Sequence, residues 1–575
     1  MRRASSMWPG RIATVAAVAF VAALQVHPLD DADTWWHLAS GRWIAAHGTV
    51  AHTDPFSWSA PGAPWVNRQW LFDLGLWGAW ALGGATATIA IAGTLFAAAY
   101  GLAWLAARRR VPAWVAAALV ALAAQAGVER FVVRPEAASY LLVALYLYVL
   151  DGRPRTVALA ALVGVQVLWA NLHALSALGV VILGCALAGA VAERWLPLPA
   201  GWRRRGAAAT PLAVATVGAV LAEVATPFGI EGALFPLRLL TVIRGGEVTS
   251  LAVVEHRPTV LALLSPPVAA AYVALLALSA VAPVLAWRRL DVTRALWAVA
   301  FVALAVMARR NVGLLGLGVL PLIADGIAPA MAALERRRAL AAGAAAMTAL
   351  VCLVGTAQVV RGTYYDAAQL TRRFGLGTSA LLFPPGAAAY LAAHPPGRLF
   401  NDDVLGGFLT WHDPDRPVFI DGRLQVYPPA VFQAFHGALS DVHALEALAA
   451  RAGIDQVVLY HPAPGRLEVA SALARQPGWR VAYLDPGVVV LERGEQGAAV
   501  VGPSDPIPPQ AGPLLASVQI PTEEALLHYQ RGRATLTLLG ERGREAAAAD
   551  FTAALRLRPD LADAAQGLRI ATERP

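Results

Sequence analysis

The chain has 575 residues, 57% hydrophobic and 15% charged, with a mean hydropathy of +0.54. That excludes a single soluble domain and points to a polytopic membrane protein with soluble attachments. The net charge of +8 rests on arginine alone, since lysine is absent; its clusters each flank an apolar run, as cytoplasmic loops do, which argues against nucleic-acid binding.

The N-terminus has a basic start, Arg2 and Arg3, and an apolar run from Ile12 to Val26 without a clear small-x-small cleavage site, so it reads as an uncleaved first membrane helix. Further runs suited to crossing a bilayer fall near 84–107, 112–128, 136–150, 155–170, 173–192, 207–226, 266–287, 292–308, 311–330 and 339–359. With the run at 11–27 they make about eleven spans. With the N-terminus inside, the clusters Arg108–Arg110, Arg153 and Arg155, Arg203–Arg205, Arg288 and Arg289, and Arg336–Arg338 all fall on the cytoplasmic side. Around Trp169–His173 a short run meets "WANLHAL", where a re-entrant segment or a tight turn would serve. Cys185 and Cys352 sit inside apolar runs and read as packing residues.

The first outer loop, 28–83, opens with "DDADTWWHLASGRWIAAHG". Trp36, Ala39 and Trp43 share one helical face there, Gly48 can end the helix, and Trp65, Trp70, Trp77 and Trp80 repeat the tryptophan device. Both halves read as interfacial helices. Asp33 either caps the first helix, with Asp30 and Asp31 solvated, or belongs with Asp31 to an Asp-x-Asp pair that holds a divalent cation, Mg or Mn, or supplies a general base.

An odd number of spans puts everything after Thr363 outside. Short β-rich runs, "RLFND", "PVFIDG", "IDQVVLYH", "WRVAYLD" and "GVVVLER", alternate with helical stretches, which predicts an extracytoplasmic α/β domain. "NDDVLGGFLTW" and "FIDGR" within it are either turn and capping chemistry or an acceptor-binding surface. The expected organisation is a transmembrane domain over 1–362, the α/β domain over 363–498, a Pro/Gly-rich linker over 499–521, and a helical segment over 522–575 whose Tyr529, Gly532, Ala549, Phe551, Ala554, Leu555 and Pro559 resemble one tetratricopeptide repeat.

Taken in order, "DADTWWHLASGRWI", "TDPFSW", "NRQWL", "RPEAASYLLVAL", "LWANLHAL", "TPFG", "ARRNVGLLGLGVLPLIA", "GGFLTWHDPDRPVFIDGRLQVY" and "AGIDQVVLY" resemble bacterial membrane proteins similar to the GT-C glycosyltransferases, over approximately residues 10–495. That superfamily includes protein mannosyltransferases, oligosaccharyltransferases and lipid A aminoarabinose transferases. The resemblance implies transfer of a sugar from a polyprenyl-phosphate donor to a protein, lipid or glycan acceptor on the outer face of a bacterial inner membrane. The acidic positions of the first outer loop would be Asp31 and Asp33. Departure of the phosphate calls for fixed positive charge, for which Arg134, Arg257, Arg309 and Arg310 are the candidates, with Arg130 beside them. Alternatively they anchor at headgroups or pair with Glu129, Glu136 and Glu255. His173, with Asn171, is either a cavity-lining residue or a satisfied core histidine. Gln69 stands where the resemblance leads one to expect an acid. A second reading is a non-catalytic envelope-biogenesis scaffold whose α/β domain and repeat recruit protein partners. A transporter fits less well, for no inverted pair of broken helices stands out.

Overall fold

The computed structural model describes residues 8–152, 154–202, 208–244, 254–395, 397–495, 499–502 and 521–573. Arg2, Arg3, Arg153, Arg203–Arg205 and most of the expected linker lie outside them. The chain divides into two compact units, one of Met1–His27, Arg68–Phe72 and Ala87–Phe374, the other of Pro28–Asn67, Asp73–Thr86 and Gly375–Pro575.

The first unit is helical. Among the described residues, six helices are long and apolar enough to cross a membrane: Trp70–Ala107, Ala113–Arg130, Ala174–Trp195, Pro266–Leu285, Arg309–Arg336 and Arg338–Arg361. Five more of the expected spans are apolar helices of at most 17 residues, Trp8–Ala23, Glu136–Leu150, Thr156–Leu172, Ala209–Ala222 and Val292–Met307. At 1.5 Å per residue these reach at most about 26 Å, short of the roughly 30 Å hydrocarbon core. Trp70–Ala107 is two helices fused across a kink at Gly83 and Gly84; its first three residues and the part from Ala87 belong to the first unit and Asp73–Thr86 to the second.

Helix packing follows from small residues. Every residue from Val312 to Gly326 is buried, so this stretch is the central helix of its unit. A methyl group on Gly316 would lie 2.4 Å from the Ala123 Cβ, and one on Gly326 2.7 Å from the Ala282 Cα; both glycines let neighbouring backbones close in where helices gain no hydrophobic drive from lipid. At "WANLHALS" the chain makes a tight hairpin: His173 is extended, Ala174–Ser176 is a 3-10 turn, and Gly179 faces Gln166.

The helix ends carry two charged clusters. Asp151 holds Arg110 at 2.7 Å and Arg294 at 2.8 Å, and Arg110 also reaches Asp325 at 3.3 Å. Glu136, at the other end of the same helix, belongs to a second cluster some 22 Å away by helical rise.

The second unit is built on a five-stranded sheet: β1 (Leu399–Asn401), β2 (Gln456–Tyr460), β3 (Trp479–Leu484), β4 (Val488–Arg493) and β5 (Val500–Val501), in the order β1-β2-β4-β3-β5. β1 runs parallel to β2 and β5 parallel to β3, whereas β4 is antiparallel to both of its neighbours. Strands β1 to β4 are buried almost throughout, which is why they read as continuous apolar runs instead of alternating ones.

The core of this unit takes in more than the α/β segment. Trp36, Ala51, Ala60 and Trp65 of the first outer loop join Phe400, Phe419, Val457 and Leu491, and Ala534 of the C-terminal helix Pro521–Leu539 joins them too. The loop is stitched in by backbone bonds, Leu29 N to Gly377 O at 2.8 Å and Trp58 N to Val418 O at 3.0 Å. Thr34 to Gly41 are all buried. Their tryptophans therefore pack inside the unit, unlike those of a helix lying flat on a membrane surface: Trp35 sets its edge against Trp80, Phe383 and Phe408. The last helices, Arg544–Leu557 and Ala562–Thr572, close over Phe551, with Arg531 and His528 on Asp550.

Candidate functional sites in the two units

In the second unit the acidic loop is built around the helix Asp33–His47. Asp31 Oδ1 accepts from the Asp33 backbone N–H at 2.9 Å. Asp31 thus closes a turn onto the start of the helix, whose N-cap position is Ala32, and Asp33 stands in the first helical turn, where the positive end of the helix dipole favours a carboxylate. Gly48, left-handed with φ of 67°, ends the helix as expected. Asp33 lies against Gly422, whose ideal Cβ would come 2.1 Å from Asp33 Oδ1 and 3.1 Å from Trp36 Nε1. Gly422 belongs to "FIDGR", where the guanidinium of Arg423 grips Asp421 and reaches Asp54 at 2.7 Å, all fully buried. Arg423 also stacks between Phe56 and Trp65, each 4.8 Å away.

Next to this lies a dyad that sequence reasoning did not single out. His37 Nδ1 is 2.6 Å from Asp73 Oδ1, and Asn67 Nδ2 donates to Asp73 Oδ2 at 2.8 Å and to Ser40 Oγ at 3.0 Å. A methyl on Gly41 would strike the Asp73 carbonyl, so the two helices touch here. The signal was present as two polar residues, His37 and Ser40, three apart on one face of an otherwise apolar helix.

At the carboxyl end of β1, Asp402 pairs with Arg466 at 2.8 Å, and Asp403 follows it. Burial, then the like charge of Asp402, raises the Asp403 carboxyl to about 7.

In the first unit several of the candidate arginines lie close together. Arg130 pairs with Glu136 and Glu255, Arg134 reaches Glu255 at 3.6 Å, and Arg310 reaches Glu136 at 2.6 Å and Glu255 at 4.0 Å. Arg309 holds Glu129 at 2.8 Å, and its backbone N–H donates to the carbonyl of Arg257, whose side chain is exposed. Burial raises Glu255, but Arg130, Arg134 and Arg310 overcome it and bring the carboxyl down to about 2. His256 is driven to about 4 by burial and then by Arg310, so it is neutral and accepts from Arg310 Nη1 at 2.8 Å. Four arginines, Arg130, Arg134, Arg309 and Arg310, thus pair with three glutamates, Glu129, Glu136 and Glu255. The surplus is positive.

His173 is buried 2.9 Å from Ser139 Oγ, and Trp169 Nε1 donates to that same oxygen. Asn171 is committed to structure: it accepts from Trp70 Nε1 at 2.8 Å and donates to the carbonyls of Val167 and Ala225. Arg68, beside the half-buried Gln69, went unremarked in the sequence. It is fully buried and donates to Glu223 at 2.7 Å, Gly232 O at 2.8 Å, and Ala170 O and Ser176 Oγ at 3.1 Å each. "NRQW" and "WANLHALS" are therefore one interlocked element, with Arg68 satisfying a carbonyl at the end of the helix that the hairpin interrupts.

Among the described residues, no group of three or more His, Cys, Asp or Glu side chains is placed to hold a metal ion.

No family model matches the sequence, and no curated protein matches it. Among solved structures, the oligosaccharyltransferase of Archaeoglobus fulgidus in its apo form is similar, with a TM-score of 0.51 and 13% identity over 85% of this chain and 75% of that one. ArnT from Cupriavidus metallidurans in the apo state has a TM-score of 0.46 and 17% identity, over 85% of this chain and 98% of that one. The first likeness is one of fold: the chain shares its overall fold with that oligosaccharyltransferase.

Proposed function

We propose that this helical membrane protein with a GT-C-like fold transfers a sugar from a polyprenyl-phosphate carrier to an acceptor at the outer face of a bacterial inner membrane. The observation that carries the reading is the outer arginine cluster. Its arginine surplus, with Arg134 and Arg310 only 17% and 21% exposed, suits a phosphate that gains charge as it leaves. In the proposed step an acceptor oxygen or nitrogen attacks the anomeric carbon, the bond from that carbon to phosphate oxygen breaks, and polyprenyl phosphate departs with the electron pair. Asp33 accepts the acceptor's proton. Arg134, Arg309 and Arg310 hold the phosphate, Arg257 adds charge nearby, and His173, hydrogen-bonded to Ser139 Oγ, lines the site. No part of the step passes through a metal.

In the same reading the six longer helices cross the membrane and the five shorter ones complete their crossings with the turns that flank them, with the N-terminus cytoplasmic and the sheet unit outside. The charged clusters at the two ends of the helix Glu136–Leu150 support this, since alternate crossings return the chain to each. The C-terminal helices act as a single repeat that offers a face to a protein partner. Without enzymatic activity, that face would leave the protein a scaffold.

The test is transfer of labelled sugar from a panel of polyprenyl-phosphate donors into membranes containing the protein, with and without chelator. Donor-dependent transfer above empty membranes is expected, and its level with chelator reads whether a divalent cation takes part. Absence of transfer with every donor from folded protein overturns the reading.

A further inference from the structure

We infer that the "FIDGR" loop of the α/β segment is a positioning element for Asp33, with Gly422 as the contact and Arg423 as the brace. The inference rests on the reading of Asp33 as the proton acceptor.

The first observation is that Gly422 is not required by its backbone. Its φ lies outside the left-handed region, so any residue could take the conformation. What excludes a side chain is space: the ideal Cβ would lie 2.1 Å from Asp33 Oδ1, 3.2 Å from its Cγ and 3.1 Å from Trp36 Nε1. The carboxylate rests on the bare α-carbon of the loop.

The loop itself is fixed. Arg423 Nε and Nη2 donate to Asp421 at 2.9 and 2.7 Å, Nη1 donates to Asp54 at 2.7 Å, and the Arg423 backbone N–H returns to Asp421 Oδ1 at 2.9 Å. The Asp421 backbone N–H donates to the Tyr427 hydroxyl at 3.0 Å. Asp54 is itself held by the backbone N–H groups of Phe56 and Ser57. Arg423, Asp421 and Asp54 are fully buried, so the network is screened from water and holds one arrangement.

Two further glycines pack here, Gly407 against the helix bearing Asp33 and Gly406 against the braced loop itself. A Cβ on Gly407 would meet Trp36 N at 2.9 Å, and one on Gly406 would meet Ile420 O at 2.0 Å. Asp33 is thus bounded by its own capped helix on one side and by a braced turn on the other. An acidic side chain with few rotamers, packed in this way, keeps one orientation for its oxygens, which is what proton transfer from a bound acceptor requires.

Gly422→Ala is the perturbation of choice. The atom it meets first is the end of the Asp33 side chain, so the methyl displaces the carboxylate and leaves the loop's ion pairs in place. The expected result is a fall in kcat of about 30-fold or more with the donor KM within about threefold of wild type. In an Asp33→Asn background the same alanine should cost no further activity. Transfer by Gly422→Ala within about threefold of wild type, or an equal loss in both backgrounds, would overturn the inference.

A thermal cycle reads the contact independently of activity. Gly422→Ala should lower Tm more when Asp33 is present than in the Asp33→Ala background; equal shifts overturn the clamp. Wild-type protein that transfers nothing while the thermal cycle shows coupling would refute the transferase reading alone.

Discussion

Replacing Arg68 by Met tests whether the interlock of "NRQW" with the hairpin holds the helical unit together. The substitution preserves much of the side-chain volume but removes the partner of Glu223, whose side chain is 10% exposed. Leaving a buried charge unpaired costs roughly 3–5 kcal/mol. Lost hydrogen bonds to Gly232 O and Ala170 O are worth about 1 kcal/mol each and fall within that range. Glu223 keeps two other donors, Gln166 Nε2 at 2.6 Å and Ser176 Oγ at 2.9 Å, so its penalty sits at the lower end. Arg68→Met/Glu223→Gln removes the unpaired charge and retains only the hydrogen-bond losses, so it should be more stable than the single variant by about 1–2 kcal/mol. Thermal unfolding can be followed with a thiol-reactive dye, since Cys352 is buried and Cys185 half-buried and both are free. A single variant as stable as wild type, or a double variant less stable than the single, would refute the reasoning.

Three further outcomes are expected. The folded Asp403 carboxyl at about 7 lies above its unfolded value of about 3.9, so the folded state keeps a proton that the unfolded state has released, and stability falls as pH rises between the two. Asp403→Asn should therefore raise Tm at pH 8 and leave it nearly unchanged at pH 4; a gain at low pH alone would contradict the shift. Arg310→Gln weakens the hold on Glu136 and removes one donor from the phosphate cluster, and should lower kcat/KM for the polyprenyl donor about 10–100-fold in a donor titration. Gly326→Val drives a side chain into the Ala282 backbone and should cost about 1–3 kcal/mol, read as lower Tm and lower yield in detergent.

The apolar helices were legible in the sequence because each is announced by composition over its own length. The hairpin at His173 was visible as an interruption, though not which residues secure it. Arg68 and Glu223 lie 155 positions apart, and no local pattern links them. Arg134, Arg309 and Arg310 were flagged singly, and the structure brings Arg134 and Arg310 to Glu255 and Arg309 to Glu129. The first outer loop was the least legible part. A helix bearing several tryptophans looks interfacial from its own residues; its burial depends on Phe383, Phe408, Phe419 and Gly422, which lie more than 300 positions further on. For the same reason, local spacing pointed to Asp33 as the cap, whereas the bond is made by Asp31, two residues upstream. The strands were recognisable as β-rich runs, but their order, with β4 between β2 and β3, is set by pairing that no single strand encodes.

The most direct test of the central claim is release of polyprenyl phosphate from a labelled polyprenyl-phosphate sugar by purified protein in lipid nanodiscs with an acceptor extract, comparing wild type with Asp33→Asn. The account predicts acceptor-dependent release coupled one for one to sugar transfer, reduced about 100-fold or more in a variant of equal Tm. Equal release by wild type and Asp33→Asn would contradict the assignment of the proton acceptor, and no release from folded wild-type protein with any donor would contradict the transferase itself.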